Sequence, residues 1–256
     1  MLPFLHLPFL PPISTYGIFL ALAHLAGIAL LLTLVRRRGL PVGKYVDLIF
    51  VVLVTGLFGA RVAYVLGHQS EFAGRWLHGF LLWEGGLSFH GGFFFAFPSF
   101  LAFLYFSKLP ILESSDIASP VLPLAMGIIR LGCFCAGCCF GIPTQLPWGV
   151  HLSSRLVPPE LATEHLHPTQ LYESFSLLLL AFFFLRELKL RRFPVGTLGI
   201  LSVFFYAWLR FALDFFRGDL THGFLGYAWL TFSQASALLM IATGICLLIW
   251  VHRRPS

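Results

Sequence analysis

Apolar residues fall along this chain in blocks of roughly twenty, separated by short clusters of charge, glycine and proline. A block of that length crosses the hydrocarbon of a bilayer as one helix, at about 1.5 Å per residue against a core about 30 Å thick. The pattern predicts about seven spans, over residues 14–35, 45–66, 89–107, 117–134, 170–188, 196–216 and 231–251. The fold class is therefore all-α, a polytopic membrane protein. No repeat or soluble linker interrupts it, so a single integral membrane domain over residues 1–256 is expected. The longest loop, residues 138–169, is polar and proline-rich and carries no apolar periodicity of its own.

Composition agrees. Hydrophobic residues make up 58% of the chain and charged residues 11%, and the mean hydropathy is +0.85; a soluble chain of this length could not hide so much apolar surface in one core. Basic residues set the orientation. Arg36, Arg37, Arg38 and Lys44 follow the first span, Lys108 the third, Arg186, Lys189, Arg191 and Arg192 the fifth, and Arg253 and Arg254 end the chain. That side is expected to be cytoplasmic, with the C-terminus on it and the N-terminus periplasmic. The opposite loops hold little more than Arg75, Arg155 and Arg217. The net charge of +6 is thus read as topology, and no nucleic-acid partner is expected. Residues 1–13 lack the basic region of a cleavable signal peptide, so the segment is expected to be retained.

Ionisable groups inside spans are costly, which makes their positions the first functional signal. Tyr16, Arg61, His90, Arg130, Glu173, Arg210 and Asp214 come from six spans and fall in the half nearer the outside. Convergence at one depth is expected. Tyr206, Arg210 and Asp214 are spaced by four and share one helix face, with Arg217 one turn further out. Counted against Glu173 and Asp214, the three arginines Arg61, Arg130 and Arg210 leave positive charge over, and arginine's planar fork matches a phosphate. A phospholipid headgroup is the expected anion. The bland alternative is that Arg210 pairs with Asp214 and Arg130 with Glu173 to hold helices together, and that Arg61 snorkels to the interface. His90 lies between the doublets Gly85-Gly86 and Gly91-Gly92, where a histidine could take a proton, bind an anion or simply cap a helix.

Cys133, Cys135, Cys138 and Cys139 crowd the outer end of the fourth span. Close packing, with or without a disulfide from Cys135 to Cys138 or Cys139, is preferred over a metal or a catalytic thiol. A zinc site would need a further ligand, such as His151, His165 or His167 folding back.

Taken together, the motifs resemble the bacterial prolipoprotein diacylglyceryl transferases. The resemblance rests on Thr15-Tyr16-Gly17, Gly59-Ala60-Arg61-Val62-Ala63-Tyr64, Ser88-Phe89-His90-Gly91-Gly92 and Arg130-Leu131-Gly132. It continues through Gly141-Ile142-Pro143-Thr144, Leu146-Pro147-Trp148-Gly149-Val150, the run from His167 to Glu173, and Tyr206 with the run from Arg210 to Arg217. What it implies is transfer of a diacylglyceryl group from phosphatidylglycerol to the lipobox cysteine thiol of a prelipoprotein, forming a thioether and releasing glycerol phosphate. It also implies a multi-pass place in the bacterial inner membrane, among membrane lipids, with no cofactor and no metal. The catalytic residues it implies are His90, Arg130, Tyr206 and Arg210. Substrate contacts would come from Tyr16, Arg61, Gly91, Gly92, Gly141, Glu173, Asp214 and Arg217. One segment departs from the family pattern: Cys133, Ala136 and Cys138 stand where asparagine, asparagine and glutamate are usual. A paralogue with another acceptor, or a lipid-binding or transport protein, are the competing functions. The absence of internal hydropathy symmetry and the confinement of charge to one half weigh against a transport path.

Overall fold

The computed structural model of the chain describes residues 4–5, 12–72, 74–81, 85–152, 156–219 and 231–253. Arg155 and Arg254 lie outside the described residues, as do the side chains of His90, Phe80, Phe89 and Phe232. The chain is mostly helical: α1 Thr15–Arg37, α2 Val42–Gly67, α3 Phe89–Phe106, α4 Ile111–Ala118, α5 Val121–Ala136, α6 Thr169–Leu190, α7 Thr197–Leu213 and α8 Phe232–His252. A two-residue hairpin, β1 Phe4–Leu5 with β2 Ile13–Ser14, precedes α1. Each expected span is met by a helix. Five runs are long and apolar enough to cross a bilayer: α1, α2, residues 111–136, α7 and α8. In α3 the apolar run is shorter, Gly91–Phe106, and α6 carries Arg186, Glu187 and Lys189 near its end.

The fourth span differs from its prediction. Helix begins at Ile111, six residues before the expected 117, and is divided at Ser119 and Pro120 into α4 and α5. Pro120 keeps helical backbone angles, φ −83° and ψ −22°, but has no N–H to donate to the preceding turn. The interruption brings Asp116 to the start of α7. Its carboxylate accepts from the backbone N–H of Gly196 at 2.7 Å and of Gly199 at 2.9 Å, meeting two amides that the first turn of a helix leaves without partners. Asp116→Ala is expected to cost about 1–3 kcal/mol, with Asp116→Asn losing less because one acceptor remains. Thermal unfolding in detergent, followed by helical circular dichroism, checks the order.

The chain divides into two compact units, residues 1–31 with 115–256, and residues 32–114. In the first, α5 packs on α6 and α7 on both α6 and α8. Small residues make these approaches close: a Cβ on Gly127 of α5 would lie 3.0 Å from Leu178 of α6, and Ser174 hydroxyl donates to the Gly127 carbonyl at 2.8 Å. The second unit is built on the α2–α3 pair.

The long loop is more ordered than its composition suggests. Phe140, Leu152, Val157 and Leu166 form a small core, covered by Phe134, Val150 and Leu161. Bridges from Leu166 to Pro143 and Val150 close it. These apolar residues lie many positions apart, so no helical or strand period announces them.

Candidate functional site

In the first unit, polar side chains from α5, α6, α7 and α8 meet. Glu173, in the first turns of α6, is buried at 3% exposure. Its Oε2 lies 2.9 Å from Arg130 Nε of α5 and 3.3 Å from Arg210 Nη1 of α7. One carboxylate oxygen thus serves two guanidiniums. Arg210 turns its other nitrogen to Asp214 Oδ1 at 2.9 Å, one helical turn on, and donates to the Ser233 hydroxyl at 3.2 Å. Asp214 Oδ2 accepts from the Thr231 hydroxyl at 3.3 Å. Thr231 and Gln234 form a reciprocal cap at the start of α8, which fixes that end of the helix beside the cluster. Tyr206 is partly buried, one turn before Arg210, within electrostatic reach of Glu173, Arg210, Arg130 and Asp214. The i, i+4 stripe read from the sequence is therefore present, although regular α-helix ends at Leu213 and Asp214 opens a short 3-10 turn.

Two features mark this cluster as more than a helix clasp. Among the described residues, Glu173 Oε1 is buried and has no hydrogen-bond partner. Arg130 reaches Glu173 through Nε alone among the described residues, so both of its Nη groups remain to donate. A bare acceptor beside two directed donors, in a site mostly screened from water, suits a ligand with both an anionic oxygen and a hydroxyl.

Arg217 stands just past this group. It holds Asp219 through Nε at 2.9 Å and Nη2 at 2.8 Å, a two-pronged pair. Burial opposes the Arg217 charge, but these hydrogen bonds and the Asp219 charge outweigh it and raise its pKa above the ordinary value. The charge count changes accordingly. Within this unit Arg130, Arg210 and Arg217 face Glu173, Asp214 and Asp219, three against three, so the surplus inferred from sequence is absent among the described residues. Asp219 was missed because it lies in a loop with no span to place it. Thr231 and Ser233 were missed because neutral hydroxyls at a helix start read as a cap.

Gly141 is where the long loop crosses the end of α7. Its N–H donates to His167 carbonyl at 3.1 Å, it bridges to Arg217, and Ile142 N–H reaches Phe216 carbonyl at 2.9 Å. A Cβ there would lie 2.5 Å from His167 Cβ and 2.6 Å from its carbonyl. Glycine is required by space. Tyr16 opens α1, half-exposed, next to Gly132 of α5 and in electrostatic contact with Arg130 and the thiols that follow it.

The cysteines pack closely at the end of α5. All five in the chain are free, and no disulfide joins Cys135 to Cys138 or Cys139. Cys133, Cys138 and Cys139 instead bring their sulfurs within 4.8 Å of one another. Gly137, at φ +74°, ends α5 in a left-handed turn. The Cys138 N–H then returns to the Cys133 carbonyl at 3.2 Å, which folds residues five apart onto one another. The Cys138 thiol donates to the Cys133 carbonyl at 3.7 Å, and the neighbouring thiols with the charges of Arg130 and Arg217, opposed by burial, lower the Cys139 thiol pKa from its ordinary value. The rings of His151 and His165 lie 3.8 Å apart between centroids, tilted by 47°, and His167 Nδ1 lies 3.2 Å from the Tyr172 hydroxyl; none of the three joins the thiols among the described residues.

The second unit contains Arg61, Gly91, Gly92 and the backbone of His90. Arg61 is 4% exposed and spends its donors on main-chain carbonyls: Gly79 at 2.6 Å, His78 at 2.9 Å, Gly86 at 3.1 Å, and Gly85. Gly85 and Gly86 both have positive φ, +79° and +76°, a conformation that aims successive carbonyls at one cation and that a side chain would disfavour. Arg61 thus pins the segment after α2. Gly91 lies where α3 crosses α2, its missing Cβ position filled by Gly59 carbonyl and Ala63. Gly92 is one step looser, 3.2 Å from Gly56 carbonyl.

A mostly helical chain with spans of membrane length and a buried arginine–carboxylate cluster defines a class: polytopic helical membrane proteins with a polar cluster inside the bundle. The model of the family described as prolipoprotein diacylglyceryl transferase matches residues 4–250. A phosphatidylglycerol–prolipoprotein diacylglyceryl transferase of Trichormus variabilis is 33% identical over 253 residues, covering 95% of this chain and 88% of its own. Relatives of the same name from Pseudomonas syringae and Xanthomonas oryzae are 34% and 30% identical, covering 83% and 86% of this chain and 79% and 80% of their own. The chain belongs to the prolipoprotein diacylglyceryl transferase family.

Proposed function

We propose that this protein transfers a diacylglyceryl group from phosphatidylglycerol to the lipobox cysteine of a prelipoprotein; its relatives are named phosphatidylglycerol–prolipoprotein diacylglyceryl transferases. The observation that carries the reading on this chain's own residues is the Arg130–Glu173–Arg210 cluster with its bare Glu173 Oε1. A phosphatidylglycerol headgroup offers what that cluster lacks, phosphate oxygens for guanidinium donors and glycerol hydroxyls for a carboxylate. The acceptor sulfur attacks the diacylglyceryl methylene carbon, the carbon–oxygen bond breaks, and its electron pair goes to the departing glycerol phosphate. Arg130 and Arg210 stabilise the charge that grows on that phosphate, more strongly as the bond breaks than before. The thiol proton must leave first, since only the thiolate is a good nucleophile. His90 is the proposed base, on residue type and motif alone. Tyr206, Tyr16, Gly141, Asp214 and Arg217 shape or screen the cluster, and Arg61, Gly91 and Gly92 belong to the substrate-binding set by motif.

The same reading places the chain in the bacterial inner membrane as one multi-pass domain, with its N-terminus periplasmic. Basic residues concentrated at alternate loops support that orientation.

Purified protein in detergent, given phosphatidylglycerol vesicles labelled in the diacylglyceryl group and a synthetic lipobox peptide, is expected to label the peptide cysteine and not a serine analogue. Arg130→Ala and Arg210→Ala should each lower the rate by about 10²–10³ or more, and His90→Ala by about 10²–10⁴. Full activity in both arginine variants would refute the headgroup assignment. An inert wild-type chain beside an active relative would refute the transfer itself.

A further inference from the structure

We infer that Cys133, Cys138 and Cys139 form a zinc site with one open coordination position, and that the position takes the acceptor thiol; this rests on the transfer reading above. Three sulfurs within 4.8 Å of one another need only a small contraction to share an ion, since Zn–S bonds of about 2.3 Å set sulfurs about 3.8 Å apart. The loop that carries them is already fixed. Gln170 Nε2 donates to the Cys138 carbonyl at 2.7 Å and the Thr169 hydroxyl to the Cys139 carbonyl at 2.8 Å, so the first turn of α6 holds two of the three ligands by their main chain. Cys139 itself has φ +60°, a conformation that non-glycine residues rarely adopt and that functional sites retain. Packing alone does not require it.

Ligand number and charge both point to zinc with a vacancy. No further Cys, His, Asp or Glu completes the group among the described residues, and three protein ligands leave the fourth position of a tetrahedral ion open, as catalytic zinc sites do. Three thiolates around a divalent ion carry a net charge of −1, so the ion removes most of the negative charge that the thiolates would bring together. Arg130 is one helical turn before Cys133, so the thiol site and the Glu173 cluster share that residue.

The chemistry answers a need of the reaction. A thiol that coordinates the ion does so as thiolate, its proton passing to the base, for which His90 is proposed above. Its sulfur then forms the bond to the diacylglyceryl carbon as the carbon–oxygen bond breaks, and the electron pair leaves with glycerol phosphate. The product thioether is neutral and a weaker ligand, so it departs while the ion stays. No oxidant or reductant enters. Cys133 and Cys138, which depart from the family pattern, would thus join Cys139 in supplying thiol activation at the same end of α5.

The test uses the full chain in detergent, reduced, stripped with a chelator and titrated with cobalt(II) as a spectroscopic stand-in for zinc. One cobalt per chain is expected, with a sulfur-to-metal charge-transfer band and tetrahedral visible bands, all displaced by zinc. Cys133→Ser, Cys138→Ser and Cys139→Ser should each weaken uptake at least 100-fold. Cys135→Ser and Cys246→Ser should not. Cys139→Ser guards against misfolding of the buried Cys133 variant, and helical circular dichroism verifies each. A cysteine peptide should shift the visible bands and its serine analogue should leave them unchanged. No stoichiometric uptake, uptake indifferent to the three substitutions, a disulfide among them in the purified chain, or no peptide-induced shift would each overturn the inference. If the peptide shifts the bands yet no lipid is transferred, the thiol site stands and the transfer reading fails. If stripped and loaded chains transfer lipid equally fast, the transfer reading stands and thiol activation by zinc fails.

Discussion

Glu173→Leu is expected to destabilise the protein by about 3–5 kcal/mol, because it leaves the guanidiniums of Arg130 and Arg210 buried with half their compensating charge removed. Glu173 Oε2 is the only group that both arginines touch among the described residues. The penalty is one of unpaired charge, so it should be recoverable. The double variant Arg130→Met/Glu173→Leu removes one cation with the anion and leaves Arg210 with Asp214 at 2.9 Å; it should regain most of the lost stability. Transfer activity should not return, since an apolar pair offers nothing to a phosphate. Unfolding in mixed maltoside and dodecyl sulfate micelles, followed by helical circular dichroism, measures the first effect and the vesicle assay the second. A double variant as unstable as the single one would mean that the cluster does not act as a charge-balanced unit. Restored stability with restored transfer would mean that it is only a clasp.

That experiment also divides the two readings that the sequence left open. Arg210 does pair with Asp214 and Arg130 with Glu173, as the bland alternative held. Yet among the described residues the same carboxylate leaves one oxygen without a partner, an acceptor that the clasp does not use. Pairing and ligand binding are compatible here, because each arginine offers more donors than its partner uses.

Much of this was legible from residue pattern. The blocks of apolar residues located every long helix, because burial in lipid leaves no polar face to blur the period. Spacing by four put Arg210 and Asp214 together, because that link runs within one helix. What escaped depends on main-chain geometry. Arg61 satisfies backbone carbonyls, which carry no residue signature. The thiol triad joins residues 133, 138 and 139 through the left-handed turn at Gly137; a separation of five is not a helical neighbour, so spacing alone does not bring Cys133 to the pair at 138 and 139. The core around Leu152 and Leu166 is assembled from positions too far apart to form a period. The fourth helix reaches back to Ile111 through Glu113, Ser114, Ser115 and Asp116, a polar stretch at which a search for apolar runs stops.

Gly91→Ala is expected to disrupt the α2–α3 pair far more than Gly92→Ala, and the contrast between these neighbours tests what the glycines are for. A methyl at Gly91 would strike the Gly59 carbonyl and Ala63 Cβ, and one at Gly59 would meet Phe95 at 2.5 Å and the Gly91 carbonyl at 2.6 Å. Backbone lines both sides of the crossing, so no rotamer change relieves the overlap. The helices must part. Close packing of small residues is a main source of helix association in lipid, where apolar side chains gain little from leaving one apolar phase for another. Overpacking of this kind costs about 1–3 kcal/mol or more. At Gly92 the nearest atoms would be 3.2 Å and 3.4 Å away, so a shift of a few tenths of an ångström accommodates the methyl and the cost should stay below about 1 kcal/mol. Unfolding curves of the two variants in detergent should therefore separate clearly. If instead both unfold like the wild type and both lose lipid transfer, the glycines act through the headgroup, and close packing does not explain the Gly91-Gly92 doublet.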